Sequence, residues 1–295
     1  MSIFTGSGVA LVTPFIHDEI DYDKVAELVE WHIAEKTDAI IVCGTTGESS
    51  TLSKDEKKTL ISFAVRKASG RIPIIAGTGG NNTAESITLS MYAEEAGADG
   101  LLLLTPYYNK ATQNGLVAHF TAIADAVNLP TILYNVPSRT GLNMKPETVA
   151  RLAEHSNVVG IKEASGDISQ IARVAHLCPK NFAIYSGNDD QIVPTLSLGG
   201  TGVISVVANI LPRKTHDIVR LYLDGKLSES LELQLAMLPL IDALFTEVNP
   251  IPVKAALNMM GMDVGRLRLP LTEMEVQNTA VLRREMEVWD LLDHV

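Results

Sequence analysis

The sequence predicts an α/β chain folded as a (β/α)8 barrel and followed by a C-terminal extension of three helices. Three observations lead there. Eight short apolar runs recur along the chain, amphipathic stretches at helical spacing lie between them, and successive runs stand roughly 20–35 residues apart, about one βα unit.

In chain order the runs are Gly8-Val9-Ala10-Leu11-Val12, Ala39-Ile40-Ile41-Val42, Ile72-Pro73-Ile74-Ile75, Leu101-Leu102-Leu103-Leu104, Thr131-Ile132-Leu133-Tyr134, Val158-Val159-Gly160-Ile161, Ala183-Ile184-Tyr185 and Gly202-Val203-Ile204-Ser205-Val206. They are continuous rather than alternating and mostly rich in Val and Ile, as strands buried on both faces of a parallel sheet are. Val25, Leu28, Val29, His32 and Ile33 mark one intervening helix, and Ile87, Met91, Ala93 and Ala96 another. Ser53 with Glu56 three residues on, and Asp167 before Ile168, are helix-start signals. Beyond residue 225 strand-like runs cease. Leu227 to Phe245, Val253 to Met260 and Glu273 to Leu292 read as three helices, so the expected division is a barrel over 1–225 and a helical extension over 226–295.

A doubly wound open sheet shares the alternation. Against it, no GxGxxG follows the first run, and Gly77-Thr78-Gly79-Gly80 lacks a Walker lysine.

Composition narrows the function. The chain has 295 residues, 46% of them hydrophobic and 20% charged, which is globular. Lys and Arg number 24 against 35 Asp and Glu, a formal net charge of -11 that speaks against a nucleic-acid partner. Cys43 and Cys178 form no CxxC pair and suggest reduced thiols in a cytoplasmic protein. The seven histidines make no HxH or HExxH group, so no metal site is expected. Neither a signal-peptide pattern nor a run of membrane-spanning length is present in the sequence.

In a barrel, chemistry sits at the carboxyl ends of the strands. Most residues there are small or hydroxylic, and one is a lysine. Lys162, ending the sixth run, is either a snorkelling surface residue or an amine nucleophile for a carbonyl substrate. A free lysine is mostly protonated near neutral pH, and desolvation favours the neutral nucleophile. Tyr134 ends the preceding run; it is core packing or a phenol that shuttles protons beside an imine. Thr45 and Thr46, between Gly44 and Gly47, form an ordinary β-to-α turn or a cradle for a small carboxylate. Arg139, in Pro137-Ser138-Arg139-Thr140-Gly141, is a surface arginine or a fork for a second carboxylate. Of the adjacent Tyr107 and Tyr108, one must face away from any shared pocket, toward an interface.

Taken together, these segments resemble the dihydrodipicolinate synthase family of pyruvate-dependent class I aldolases. The matching stretches are Gly44-Thr45-Thr46-Gly47-Glu48-Ser49, Thr105-Pro106-Tyr107-Tyr108-Asn109-Lys110, Tyr134-Asn135-Val136-Pro137-Ser138-Arg139-Thr140-Gly141, Gly160-Ile161-Lys162-Glu163-Ala164-Ser165-Gly166 and Tyr185-Ser186-Gly187-Asn188-Asp189, with Asn249-Pro250-Ile251-Pro252-Val253-Lys254 near the C-terminus. The resemblance implies Lys162 as the Schiff-base lysine for pyruvate and Thr46 with its neighbouring amides as the pyruvate-carboxylate site. It implies Thr45, Tyr134 and Tyr108 as a proton relay, Tyr108 coming from an adjacent subunit. The main-chain carbonyl of Ile204, together with Gly187, would line the pocket. The second substrate would be L-aspartate 4-semialdehyde, its carboxylate meeting Arg139, in the step that opens the diaminopimelate route to lysine. No metal or organic cofactor is implied, and the assembly would be a homodimer at least, commonly a tetramer.

Within the superfamily the competitor is N-acetylneuraminate lyase, which shares the imine chemistry; Thr45 and Arg139 favour the small acidic aldehyde. A non-catalytic barrel is the alternative of another class, and the intact set of Lys162, Tyr134, Thr45 and Tyr108 speaks against it. Ser49, Asn81, Glu85 and Tyr107 match the cleft where lysine-inhibited members bind lysine. Lys54 and Lys57 replace histidines of the lysine-sensitive pattern, so weak or absent feedback by lysine is expected.

Overall fold

The computed structural model describes residues 2–292; residue 1 and residues 293–295, the outer ends of the two expected domains, lie outside them. Eight parallel strands close into a barrel. They are β1 (Gly6–Ala10), β4 (Ala39–Val42), β5 (Ile74–Gly77), β6 (Gly100–Leu104), β7 (Thr131–Asn135), β8 (Val158–Glu163), β9 (Ala183–Ser186) and β10 (Gly202–Ser205). Each pairs with its chain neighbours, and β1 closes the ring against both β4 and β10. The barrel and the C-terminal helices are those expected; strand ends shift by at most two residues at each boundary.

A hairpin of β2 (Phe15–Ile16) and β3 (Glu19–Ile20) follows β1 and has no counterpart among the apolar runs. Its turn residues, His17 and Asp18, have φ of 49° and 70°, the doubly left-handed conformation of a tight hairpin. Two-residue strands leave no periodic signal.

Alternation along each strand sends one row inward and one outward. Ala10, Ile41, Ile75, Leu102, Ile132, Tyr134, Tyr185 and Ile204 belong to the inner cluster. Val9, Ile40, Ile74, Leu101, Leu133, Ile161 and Val203 belong to the outer one, under the helices. Both rows are buried, which is why the sequence shows continuous apolar runs rather than alternation.

The covering helices are α1 (Tyr22–Ala34), α2 (Lys54–Ala68), α3 (Thr83–Glu95), α4 (Gln113–Asp125), α5 (Pro137–Thr140), α6 (Pro146–Leu152), α7 (Ile168–Leu177), α8 (Ile192–Ser197) and α9 (Pro212–Leu223). Helix α2 opens on the expected capping box: the Glu56 amide donates to Ser53 Oγ at 3.2 Å and the Ser53 amide to Glu56 Oε2 at 2.7 Å. Asp167 caps α7 by accepting from the Ser169 and Gln170 amides.

Beyond the barrel lie α10 (Leu227–Leu244), α11 (Ile251–Met259) and α12 (Val276–Val288). Helix α11 begins two residues before Val253, directly after the cis Asn249–Pro250 peptide, with Pro252 in its first turn where a missing N–H costs no hydrogen bond. This segment reaches back to the barrel mouth. No helix among the described residues is long and apolar enough to cross a membrane.

Candidate active site

Register is the first determinant of the site. An irregularity opposite Thr131 and Ile132 pairs Thr131 with Val158 but Ile132 with Gly160, so β8 carries one extra residue. From there on Tyr134 stands level with Lys162, and Asn135 with Glu163. Lys162 is 5% exposed, and its Nζ lies 4.5 Å from the centroid of the Tyr134 ring. The ring face offers a cation–π contact to an ammonium. Thr105 holds the end of β7, its amide and hydroxyl both donating to the Tyr134 carbonyl at 2.9 and 2.7 Å.

The outward-facing neighbours form a second layer that clamps the same two strands. Glu163, 1% exposed, accepts from Asn135 Nδ2, Gln170 Nε2 and the Ser165 amide. Asn143 closes the group through Asn135 and Gln170. Burial raises the Glu163 pKa, and these neutral donors oppose the rise.

Between Cys43 and Glu48 the chain makes a compact loop with left-handed backbone at both ends, φ 56° and 53°. Thr46 is buried and its Oγ1 accepts from Asn249 Nδ2 at 2.9 Å. Thr45 is half-buried and shares with Tyr134, Leu102 and Leu104 the wall of a small cavity of about 20 Å3. The loop is anchored below by an ion pair. Lys254 Nζ donates to Glu48 Oε1 at 2.9 Å, to the Thr13 carbonyl at 3.1 Å and to the Arg266 carbonyl at 2.8 Å. Both charged side chains are 1% exposed. Burial pulls the Lys254 pKa down while Glu48 holds it up.

The other expected residues are placed unequally. Ile204 is buried on β10 in the inner cluster. Gly187 follows β9, donates its amide to the Glu163 carbonyl at 2.7 Å, and has no room for a Cβ, which would stand 2.6 Å from that of Ala164. Arg139, in α5, is exposed and reaches toward the mouth by donating from Nη2 to the Asn249 carbonyl at 3.1 Å. Tyr108 is not brought to the site at all within one chain: it is 91% exposed, with φ of 68°. Ser49, Asn81, Glu85 and Tyr107 do come together, in a separate cleft of about 400 Å3 also lined by Lys54, Lys57 and Lys58. There Lys54 Nζ donates to Glu85 Oε1 at 2.8 Å and the Tyr107 amide to Asn81 Oδ1 at 2.7 Å.

Sequence reasoning missed the Glu48–Lys254 pair, Asn249 as a partner of Thr46, and the Asn135–Glu163 layer. A charged residue inside an otherwise apolar helix, Lys254, was the one signal available.

Residues 3–288 match the model of the dihydrodipicolinate synthetase family. A 4-hydroxy-tetrahydrodipicolinate synthase of Thermoanaerobacter sp. (strain X514) is 57% identical over 293 residues, covering 99% of both chains. That of Clostridium tetani is 58% identical over 287 residues, 97% of this chain and 98% of the relative. The crystal structure of dihydrodipicolinate synthase from Aquifex aeolicus superposes with a TM-score of 0.97 at 44% identity, over 99% of this chain and all of that one, 100%.

Proposed function

The chain belongs to the dihydrodipicolinate synthetase family, and from that premise we propose how its residues divide the work. It is a lyase of the class I aldolase type. It condenses pyruvate with L-aspartate 4-semialdehyde to 4-hydroxy-tetrahydrodipicolinate, the entry to the diaminopimelate route to lysine. The observation that carries the residue assignment is the buried Lys162 amine against the Tyr134 ring at the carboxyl ends of β7 and β8.

Neutral Lys162 attacks the pyruvate ketone, forming the C–N bond of a carbinolamine. Tyr134 hands a proton to the departing hydroxyl, water leaves, and the imine loses a methyl proton to become an enamine. Thr46 and the loop amides hold the pyruvate carboxylate, with Ile204 and Gly187 bounding the other side. The enamine carbon adds to the aldehyde, and the substrate amine then displaces Lys162 from the imine carbon in closing the ring. Thr45 joins Tyr134 in moving protons, as their shared cavity allows.

Tyr108 completes this relay only from a second chain. Its exposure in one chain supports a homodimer as the smallest active unit, and the family is commonly tetrameric. The absence of a membrane-length helix among the described residues and the biosynthetic role support a cytoplasmic enzyme.

Borohydride reduction with pyruvate, followed by peptide mass mapping, tests the assignment: one reduced pyruvyl group per chain on Lys162 is expected, and a folded protein without an adduct refutes it. Arg139→Ala should raise KM for the semialdehyde about tenfold or more, the loss of a charged carboxylate contact, while pyruvate trapping stays near the parent level. Loss of the pyruvate adduct instead would mean that Arg139 serves the other carboxylate.

The cleft bears on regulation. Glu85, a carboxylate suited to a cationic effector, is engaged by Lys54, and Lys57 and Lys58 add positive charge. Lysine at micromolar concentration should leave turnover unchanged in an initial-rate assay; inhibition in that range would contradict the charge argument.

A further inference from the structure

The extra residue in β8 decides which of two neighbours enters the lumen. Val158 and Ile161 both pack in the outer cluster under the helices, although regular alternation sends residues at that spacing to opposite faces. The irregularity opposite Thr131 and Ile132 absorbs the difference. Paired regularly from Thr131 and Val158 onward, Tyr134 would stand level with Ile161, and Asn135 with Lys162. Lys162 would then turn outward under the helices and Glu163 inward. A one-residue slip exchanges the amine for a carboxyl group.

Glu163 is fastened on the outer side by donors. Asn135 Nδ2 lies 3.2 Å from its Oε1 and 3.1 Å from its Oε2, the Ser165 amide 2.7 Å from Oε1, and Gln170 Nε2 3.1 Å from Oε2. Asn135 and Glu163 are 0% and 1% exposed. The main chain sets the direction of the bridge: the Met144 amide donates to Asn135 Oδ1 at 2.9 Å, which turns Nδ2 toward Glu163. Asn143 closes the ring. Its Oδ1 accepts from Asn135 Nδ2 at 2.8 Å and from Gln170 Nε2 at 3.1 Å, and its Nδ2 donates to Gln170 Oε1 at 2.7 Å. At the same level the Ala164 amide donates to the Asn135 carbonyl at 2.9 Å and the Gly187 amide to the Glu163 carbonyl at 2.7 Å.

We infer that Glu163 is a positioning residue whose bridge to Asn135 selects the bulged register of β8, and through it the place of Lys162 beside Tyr134. The consequence for the reaction rests on the Schiff-base reading above. In the regular register a carboxyl group would be stranded among the apolar side chains of the inner cluster. The buried amide groups of Asn135 and Gln170 would lose their acceptor, and each group left so is costly. The bridge joins the residues directly after Tyr134 and Lys162, so it fixes their spacing before pyruvate arrives. Thr46, which the same reading assigns to the pyruvate carboxylate, is held from elsewhere, by Asn249.

The test is the rate of borohydride-trapped adduct formation, per folded chain, against pyruvate concentration. The full-length parent, Glu163→Gln and the exchange of Asn135→Asp with Glu163→Gln are compared. Glu163→Gln keeps the size of the side chain and sets an amide donor against those of Asn135 and Gln170. Its limiting rate should fall about a hundredfold, the cost of an amine displaced by about 1 Å. The half-saturating pyruvate concentration should stay within about twofold of the parent, since the cradle for its carboxylate is anchored apart from the ring. In the exchange the new carboxylate accepts from the new amide, and Asn143 and Gln170 turn their amide groups over to match. The limiting rate should then return to within about threefold of the parent. A purely stabilising layer would lower the melting temperature of Glu163→Gln and leave its limiting rate unchanged, and that result would overturn the inference. A slow single variant that the exchange fails to restore, whether by staying slow or by not folding, would overturn it too. Should Glu163→Gln alone not fold, Asn135→Ala takes its place in the comparison: it withdraws the bridge and leaves Glu163 the Ser165 and Gln170 donors, and a parent-like limiting rate there is the contrary result. Absence of adduct in the parent would instead sink the Schiff-base reading, and the proposed consequence with it.

Discussion

Lys162→Ala is expected to lose turnover by about four orders of magnitude, some 5 to 6 kcal/mol of transition-state stabilisation, and to form no pyruvate adduct. The reason is covalent: without the amine the ketone has no route to an enamine, and the remaining groups can only orient substrates. The protein should stay folded, because the truncation removes an amine that makes no hydrogen bond or salt bridge among the described residues, only a ring contact. Lys162→Arg separates charge from nucleophilicity. The guanidinium keeps the positive charge and can face the Tyr134 ring, yet it does not deprotonate, so it should be as inactive as alanine. Residual turnover of a tenth of the parent in either variant, with the melting temperature preserved, would mean that another group forms the covalent bond.

Much of this site was legible because barrel chemistry follows strand periodicity. Once the sixth run is a strand, Lys162 at its end must stand near the mouth, and Tyr134 one strand earlier must be its neighbour. What the periodicity could not supply was which way each side chain points. That depends on the extra residue in β8, which sets Tyr134 level with Lys162 and is invisible in an unbroken apolar run. The Asn135–Glu163 layer was missed for the same reason: whether a polar residue beside a functional one faces in or out depends on that register, and these face outward. Asp189 lay within a matched segment, yet its place under the end of β10 exists only once the Val206 and Val207 amides donate to it. The hairpin after β1 is too short for any pattern. Tyr108 was legible in the opposite sense, since two adjacent tyrosines cannot both turn inward, and it is the more exposed of the two, 91% against 39% for Tyr107.

The Glu48–Lys254 pair carries the largest expected effect on stability. It joins residues 206 positions apart and ties the loop of Thr45 and Thr46 to α11. All three Lys254 protons are used, and Glu48 Oε2 is taken by the Arg268 amide at 2.9 Å, so the pair is saturated as well as buried. Lys254→Met fills the same volume and leaves Glu48 as an uncompensated buried charge, at a cost of about 3–5 kcal/mol. Thermal unfolding should then begin roughly 10 °C lower, given the few degrees per kcal/mol of a chain this size. Glu48→Gln should cost less, because the Thr13 and Arg266 carbonyls still receive the ammonium. Replacing both residues by Met should recover part of the loss, so that the double-mutant cycle shows a coupling of about 2 kcal/mol or more. Function should follow the loop. With the ion pair gone, the loop keeps the Asn249 bond to Thr46 and the Thr13 bond to Gly47 but loses its charged anchor, and KM for pyruvate should rise more than kcat falls in a steady-state assay of Lys254→Met. Parent-like melting would show that the pair only balances its own desolvation. The loop would then owe its shape to the left-handed backbone at Cys43 and Glu48 and to the Asn249 bond to Thr46.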